Sequence, residues 1–390
     1  MDLKSGYPLW PVANGLIRAY PHLAADAACD VAVLGAGITG ALVADHLTRA
    51  GFDVLVLDRR DVGWGSTAAS TAILQYELDL PLVELAKKVG HDHASAAYRA
   101  CRDAVLTLGT LVDELGVDVG FARKKSLYLA ARKRDRKLLE AECDARQAIG
   151  IRCEYLDEED VAARFPFRRP GAILSHDAAQ VDAYALAHAL LARSGARVFD
   201  RTDVTKIDAR ADGATVRARH LVFASGYETR DWLKQRVAKL VSTYAVASEP
   251  LAAMPGWNED RCLIWEHRSP YLYLRTTPDD RIIVGGEDVS FKDARRRDRL
   301  LDRKTARLVE RARELLPDVD LRVAFSWTGT FGETDDALPY IGQHRDWPSS
   351  WFALGYGGNG ITFSLLAAEI IRDALTDRPN DRAALFRFAR

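Results

Sequence analysis

A glycine-rich turn set between two short apolar strands limits what this chain can fold into more than any other feature. Val31 to Leu34 is an apolar run too short for a helix and β-branched enough for a buried strand. It runs straight into Gly35-Ala36-Gly37-Ile38-Thr39-Gly40, a G-x-G-x-x-G spacing. The pattern beyond it predicts a helix over residues 38–50, stopped by Gly51. A second apolar strand, Val54 to Leu57, ends in Asp58, 23 positions after the first glycine. A glycine-rich turn alone is common. Strand, turn, helix, strand and terminal acid in this order are the pattern of a dinucleotide-binding βαβ unit.

Each part has a physical reason. Gly35 permits the tight turn, Gly37 lets the backbone approach a pyrophosphate, and Gly40 lets the helix pack against the strand. The helix start offers free N–H groups and the positive end of a dipole to the phosphates, with Ile38 and Thr39 in that first turn. Asp58 can accept hydrogen bonds from a ribose diol, and its charge repels the extra phosphate of NADP.

The residues after Asp58 indicate which dinucleotide binds. An NAD domain would continue into another αβ repeat. Here Arg59 leads into a loop of small and hydroxylated residues, Gly65-Ser66-Thr67-Ala68-Ala69-Ser70-Thr71-Ala72, suited to close contact with a large flat ligand. Far along the chain, the strand Trp351 to Leu354 meets Gly355-Tyr356-Gly357-Gly358-Asn359-Gly360-Ile361-Thr362, and an apolar helix runs from Phe363 to about Leu375. Two glycine motifs about 320 residues apart are far more specific than either alone. With them the chain resembles, over nearly its whole length, the D-amino acid oxidase superfamily of FAD-dependent oxidoreductases, which includes glycine oxidase, monomeric sarcosine oxidase and gamma-glutamylputrescine oxidase-like proteins.

The resemblance implies an α/β fold: a Rossmann-like FAD-binding domain with an interleaved, mostly antiparallel β-sheet substrate domain. The expected division is residues 1–80, 171–239 and 329–390 for the FAD domain, and 81–170 and 240–328 for the substrate domain. The small-residue loop would run along the flavin. The adenine end would lie near Val204 and near Ala224-Ser225-Gly226, where a strand ends. The second glycine motif would aim its helix start, Gly357 to Thr362, at the flavin pyrimidine, where N–H donors stabilise the negative charge of reduction.

Bulk composition agrees with such an enzyme. The chain has 390 residues, 48% hydrophobic and 28% charged, enough for a sizeable core and two domains. Basic and acidic residues nearly cancel (54 against 55), so no cationic field favours nucleic acid. Five scattered cysteines without a C-x-x-C suggest neither a disulfide frame nor a zinc site, and no metal is expected. The start of the chain has no apolar region followed by a cleavage site, and no segment approaches the length of a membrane span. A cytoplasmic protein is the expectation.

In chain order, residues 1–29 read as an extended arm opposed to regular structure by Pro8, Pro11 and Pro21. Residues 80–115 and 134–148 read as helices, with a strand from Ser126 to Ala130 between them. Gly171 to Leu174 reads as the return to the nucleotide domain, followed by a helix over 183–194 and a strand Val204 to Ile207. Residues 240–328 read mostly as strands broken by a helix over 298–316. Alternation places Tyr271, Tyr273 and Arg275 on one strand face, expected to be a polar wall of the flavin site.

Departures from the family pattern bear on the substrate. Phe331 stands where glycine oxidase holds a substrate carboxylate with arginine, and Gln75 where sarcosine oxidase does so. Ile283 replaces the lysine that sarcosine oxidase uses for oxygen activation. Gly329 and Ala69 replace the residues that relatives use for covalent flavin attachment, so FAD is expected to bind non-covalently. The leading expectation is oxidation of the C–N bond of an amine or amino-acid-like substrate, by hydride transfer to flavin N5 and hydrolysis of the resulting imine. Oxygen or another molecule would be the final acceptor. One alternative is an FAD-dependent 2-hydroxy-acid dehydrogenase, with His267 as its base. Another is a flavin-binding scaffold with no cavity beside the ring. Arg275 and His267 are the candidate replacements for the missing anchors.

Overall fold

Two sheets and the helices between and around them make up the computed structural model, which describes residues 2–207, 213–233, 235 and 237–390. The smaller sheet has six strands in the order Tyr340–His344, Trp347–Leu354, Val216–Phe223, Ala27–Leu34, Val54–Leu57 and Arg197–Phe199. All its pairs are parallel except the first hairpin. Val31 to Leu34 and Val54 to Leu57 are wholly buried, which is why they read as unbroken apolar runs rather than alternating ones. Against this sheet pack Ile38–Arg49 and Gly360–Leu375, with Ala183–Ser194 against the first helix and His91–Leu115 against the second.

Gly40 shows why the first turn needs glycine. A Cβ there would lie 1.8 Å from the Gly35 carbonyl oxygen, inside the contact that lets the helix start on the strand. Thr39 and Ser364 then join the two motif helices by a 2.7 Å hydroxyl pair. The two glycine motifs are therefore side by side in space.

The larger sheet has ten strands. Nine run in the order Lys4–Gly6, Val323–Glu333, Lys239–Ser248, Ile282–Ser290, Leu272–Thr276, Leu263–His267, Ala122–Ala130, Gly171–Gln180 and Ile73–Leu74, and Cys153–Asp157 also pairs with Gly171–Gln180. All pairs are antiparallel except Leu263–His267 with Ala122–Ala130.

Several elements differ from the sequence expectation. The arm holds the edge strand Lys4–Gly6 and the helix Leu9–Asn14, which Pro11 enters within the first turn. Residues 80–115 form two helices, Leu82–Val89 and His91–Leu115, parted at Gly90 with φ 88°. The helix expected over 298–316 is Leu301–Leu315, preceded by a separate short helix, Ala294–Asp298. Gly171–Gln180 is hydrogen-bonded in the larger sheet, so the chain crosses back to the nucleotide side after Gln180 rather than at Gly171. Val204 to Ile207 forms no strand; it is an irregular segment, and Val204 lies beside the glycine turn.

Candidate active site

A cavity of about 640 Å³ runs between the two sheets and joins both glycine motifs. Its nucleotide end is lined by Gly35, Gly37, Ile38, Thr39, Asp58, Arg59, Val204, Ala224, Ser225 and Gly226. The middle is lined by Gly65, Ser66, Thr67, Ser70, Thr71 and Ala72, opposite Gly329 and Gly357 to Ile361. Gly40 and Thr362 do not line it: Gly40 closes the turn, and the Thr362 hydroxyl donates to the Gln75 carbonyl at 3.3 Å.

Asp58 has a double task. Its Oδ2 accepts the Ala36 N–H at 2.7 Å and its Oδ1 the Arg60 N–H at 2.8 Å, which ties the end of the second strand to the glycine turn. The carboxylate still faces the cavity with lone pairs to spare. Burial raises its pKa against those two backbone bonds. Arg59 and Arg60 both pair with Glu228, which lines the same end.

The small-residue loop is held from behind by its carbonyls. Trp327 donates its indole N–H to Ala69 O at 2.9 Å, and Trp10 donates to Ser70 O at 2.6 Å. Arg275 Nη1 donates to Thr71 O at 3.0 Å and to Ala72 O and Val181 O at 2.8 Å. Four consecutive loop carbonyls, from Ala69 to Ala72, are thus taken up on the protein side. The hydroxyl of Thr67 meanwhile accepts the Ile38 N–H at 3.0 Å.

That arrangement corrects the expectation for Arg275. It shares a strand with Tyr273, but the loop lies between its guanidinium and the cavity, whose lining does not include it. It is fully buried, and burial lowers its pKa to about 9. It is a clamp, not a wall residue. His267 is not a lining residue either; its Nδ1 hydrogen-bonds the Tyr128 hydroxyl, and Tyr128 stacks on Trp265. Neither side chain replaces the missing anchors.

Tyr271, Tyr273, Gln75 and Phe331 do line the cavity, at the end away from Asp58. Gln75 donates to the Ser126 hydroxyl at 2.9 Å. Beside them are residues that motif reading missed: Asp79, Asp288, Glu333, Tyr227 and Trp265. Asp79 Oδ2 accepts the Gly358 N–H at 3.0 Å, and Gly357 donates to Gly332 O at 2.9 Å. Those two N–H groups, expected to face the pyrimidine, are engaged within the protein, leaving the first turn from Gly360 for that task. Asp288 reaches the cavity through a bulge. The register slips between Ser242 and Tyr244, Glu287 has φ 56°, and Gly286 has φ 130° with no room for a Cβ beside the Tyr271 carbonyl. Glu287 turns away to Lys304 at 3.0 Å and Arg311 at 2.8 Å. No spacing in the sequence signals such a bulge; the Gly285-Gly286 pair is the one local hint.

The residues present fit FAD. The cradle between Gly35 and Thr67 has no space for larger side chains, and the cavity is long enough to join a ribose-binding acid to a second glycine-rich helix start. Among the described lining residues there is no cysteine and no histidine, and Gly329 faces the Ala69 methyl.

Comparison with known proteins agrees. The pattern of the family described as FAD dependent oxidoreductase, DAO, matches residues 30–374. The chain is 26% identical to glycine oxidase of Bacillus licheniformis over 366 residues, 90% of this chain and 94% of that protein. It is 26% identical to gamma-glutamylputrescine oxidoreductase of Escherichia coli (strain K12), over 89% of this chain and 83% of that protein. Its fold is similar to that of the crystal structure of glycine oxidase from Geobacillus kaustophilus, with TM-score 0.75 and 22% identity over 92% of this chain and 98% of that one. No helix among the described residues is long and apolar enough to cross a membrane. The chain belongs to the DAO family of FAD-dependent oxidoreductases and is an enzyme that uses FAD.

Proposed function

We propose that the enzyme oxidises the C–N bond of an amine or amine-containing substrate. One observation carries this reading furthest: the cavity continues past the second glycine motif into a chamber walled by Tyr271, Tyr273, Trp265 and Phe331. A flavin-binding scaffold would have no such chamber. When bound, FAD supplies the two-electron acceptor for a hydride from the carbon beside nitrogen, leaving an imine that water hydrolyses. The chain itself positions and shields. Aromatic walls exclude water, and Gln75, fixed by Ser126 and by Asn359 Nδ2 on its carbonyl at 3.0 Å, sets the side of the chamber. The relatives named glycine oxidase and gamma-glutamylputrescine oxidoreductase also support C–N rather than C–O chemistry. His267, the base expected for the 2-hydroxy-acid alternative, does not line the chamber.

The test is anaerobic bleaching of the holoenzyme against amines, amino acids and 2-hydroxy acids. Bleaching by an amine, with a carbonyl compound as product, is the expected result. Bleaching by hydroxy acids alone would reject this assignment.

A further inference from the structure

We infer that the substrate is a cationic alkylamine without an α-carboxylate, diamine-like in charge, held through its ammonium groups by Asp79, Asp288 and Glu333 among the chamber's aromatic rings. Asp288 takes the proton from the nitrogen to be oxidised. This rests on the amine-oxidation reading and narrows it to a substrate class.

Charge distribution is the first support. The arginines among the described lining residues are Arg59 and Arg60, both at the nucleotide end and both paired with Glu228, and there is no lysine among those described lining residues. The chamber end carries three carboxylates instead. A substrate carboxylate there would lose water, meet like charge and find no cation among the described lining residues of that end. An ammonium finds those carboxylates and the π faces of Trp265, Tyr271 and Tyr273.

The second support is independent of the number of acids. Oδ1 of Asp288 is withdrawn from solvent and makes no hydrogen bond, although the residue lines the chamber. Oε2 of Glu77, 3% exposed and also on the cavity wall, is equally without a partner while Oε1 meets Arg146 at 3.4 Å. Buried carboxylate oxygens are ordinarily satisfied. A donor-rich cation is the ligand these atoms suit. The described acids form no cluster of the kind that holds a metal ion, so an organic cation fits better.

Electrostatics agree with the geometry. Burial, then Glu333 and Asp79, raise Asp288 to about 7, while Thr243 and Lys304 oppose the shift. Burial raises Asp79 against the Gly358 N–H. Burial and then Asp79 raise Glu333, with Lys239 opposing. Tyr271 and Tyr273 complete the groups that face Asp288, and burial raises both phenols, so they stay neutral at working pH. Lys304 is already paired with Glu287.

The proton step is simple. An N–H bond of the ammonium breaks, an O–H bond forms on Asp288, and the electron pair left on nitrogen becomes free to form the C=N bond. A carboxyl that titrates near neutrality can take and release that proton.

The experiment uses the holoenzyme under anaerobic conditions, read by flavin absorbance, with 1,4-diaminobutane, butylamine, glycine and sarcosine. The diamine should bleach the flavin with an efficiency at least ~100-fold above glycine or sarcosine, as expected when like charges are forced together. Asp288→Asn and Glu333→Gln should each raise the diamine dissociation constant about tenfold or more, with FAD content unchanged. Asp288→Asn alone should remove an inflection near pH 7 from the reduction rate. Faster bleaching by glycine or sarcosine overturns the inference, as does an Asp288→Asn enzyme with unaltered affinity and pH profile. Bleaching by no amine at all would instead remove the amine-oxidation reading beneath it.

Discussion

Asp58 and Asp288 are both half-buried acids on the cavity wall, yet their surroundings give them opposite consequences. Asp58 is met by two backbone N–H groups, so its charge is anchored before any ligand arrives. Asp58→Ala should weaken FAD binding at least about tenfold, because charge-assisted hydrogen bonds are each worth about 1.5–3 kcal/mol. The same change should lower the apo melting temperature, since Ala36 and Arg60 lose their acceptor. Flavin titration and a thermal melt measure the two effects separately; an unchanged dissociation constant would show that the carboxylate does not meet the ribose. Asp288 has no such anchor. Its pKa is raised in the folded protein to about 7, from about 3.9 in an unfolded chain. The folded state therefore holds the proton more tightly, and ionisation opposes folding. The penalty is absent below the unfolded pKa and complete above about pH 7. Asp288→Asn should accordingly melt higher than the wild type at pH 8 and show little difference at pH 4. Such a gain in stability at the expense of activity is common where a site needs an uncompensated charge.

Among elements, the loop from Ser66 to Ala72 decides whether the flavin site is shaped before cofactor binds. Its carbonyls are satisfied by side chains from the arm, from Leu272–Thr276 and from Val323–Glu333. Arg275→Met keeps much of the volume but removes the Arg275 donor from the Thr71 and Val181 carbonyls, and leaves the Ala72 carbonyl only the Val181 N–H at 3.3 Å. A loss of about 3 kcal/mol or more is expected, as buried groups left unpaired cost about 1–3 kcal/mol each. Denaturant unfolding of apo and holo protein measures it, and Arg275→Lys should rescue part of the loss, because one nitrogen, Nη1, meets all three carbonyls and an ammonium also carries three donors on one nitrogen. A merely peripheral Arg275 would give a wild-type midpoint. The strand alternation that put Tyr271, Tyr273 and Arg275 on one face is a correct statement about a strand. It does not say where along that face another segment covers it, and Thr71 in the covering loop is 204 positions away in sequence.

For the whole molecule, the cavity carries no cysteine or histidine among its described lining residues, so the cofactor should come away freely. Purified protein should be yellow, and acid precipitation should leave all the flavin in the supernatant; colour retained by the pellet would show a covalent link. That expectation, like the βαβ unit and the second glycine motif, was legible from the chain itself. Backbone turns that must approach a phosphate or a helix need glycine at fixed offsets, and buried parallel strands need unbroken apolar runs, so both leave a local record. Helix Ala183–Ser194 and strand Val54–Leu57 are elements of this kind. The cavity end away from Asp58 left no such record. Asp79, Asp288 and Glu333 come from three separate segments, and a one-residue bulge at Glu287 turns one of them inward. Gly171–Gln180 joined the larger sheet for a similar reason, since alternation and length do not encode a strand's partner. The sequence by itself determined the cofactor, the family and the turns that hold the nucleotide, because those are short-range demands on backbone shape. Only the tertiary structure decided that Arg275 clamps a loop and that Asp79, Asp288 and Glu333 line one cavity, because charge placement depends on which distant segments pack together.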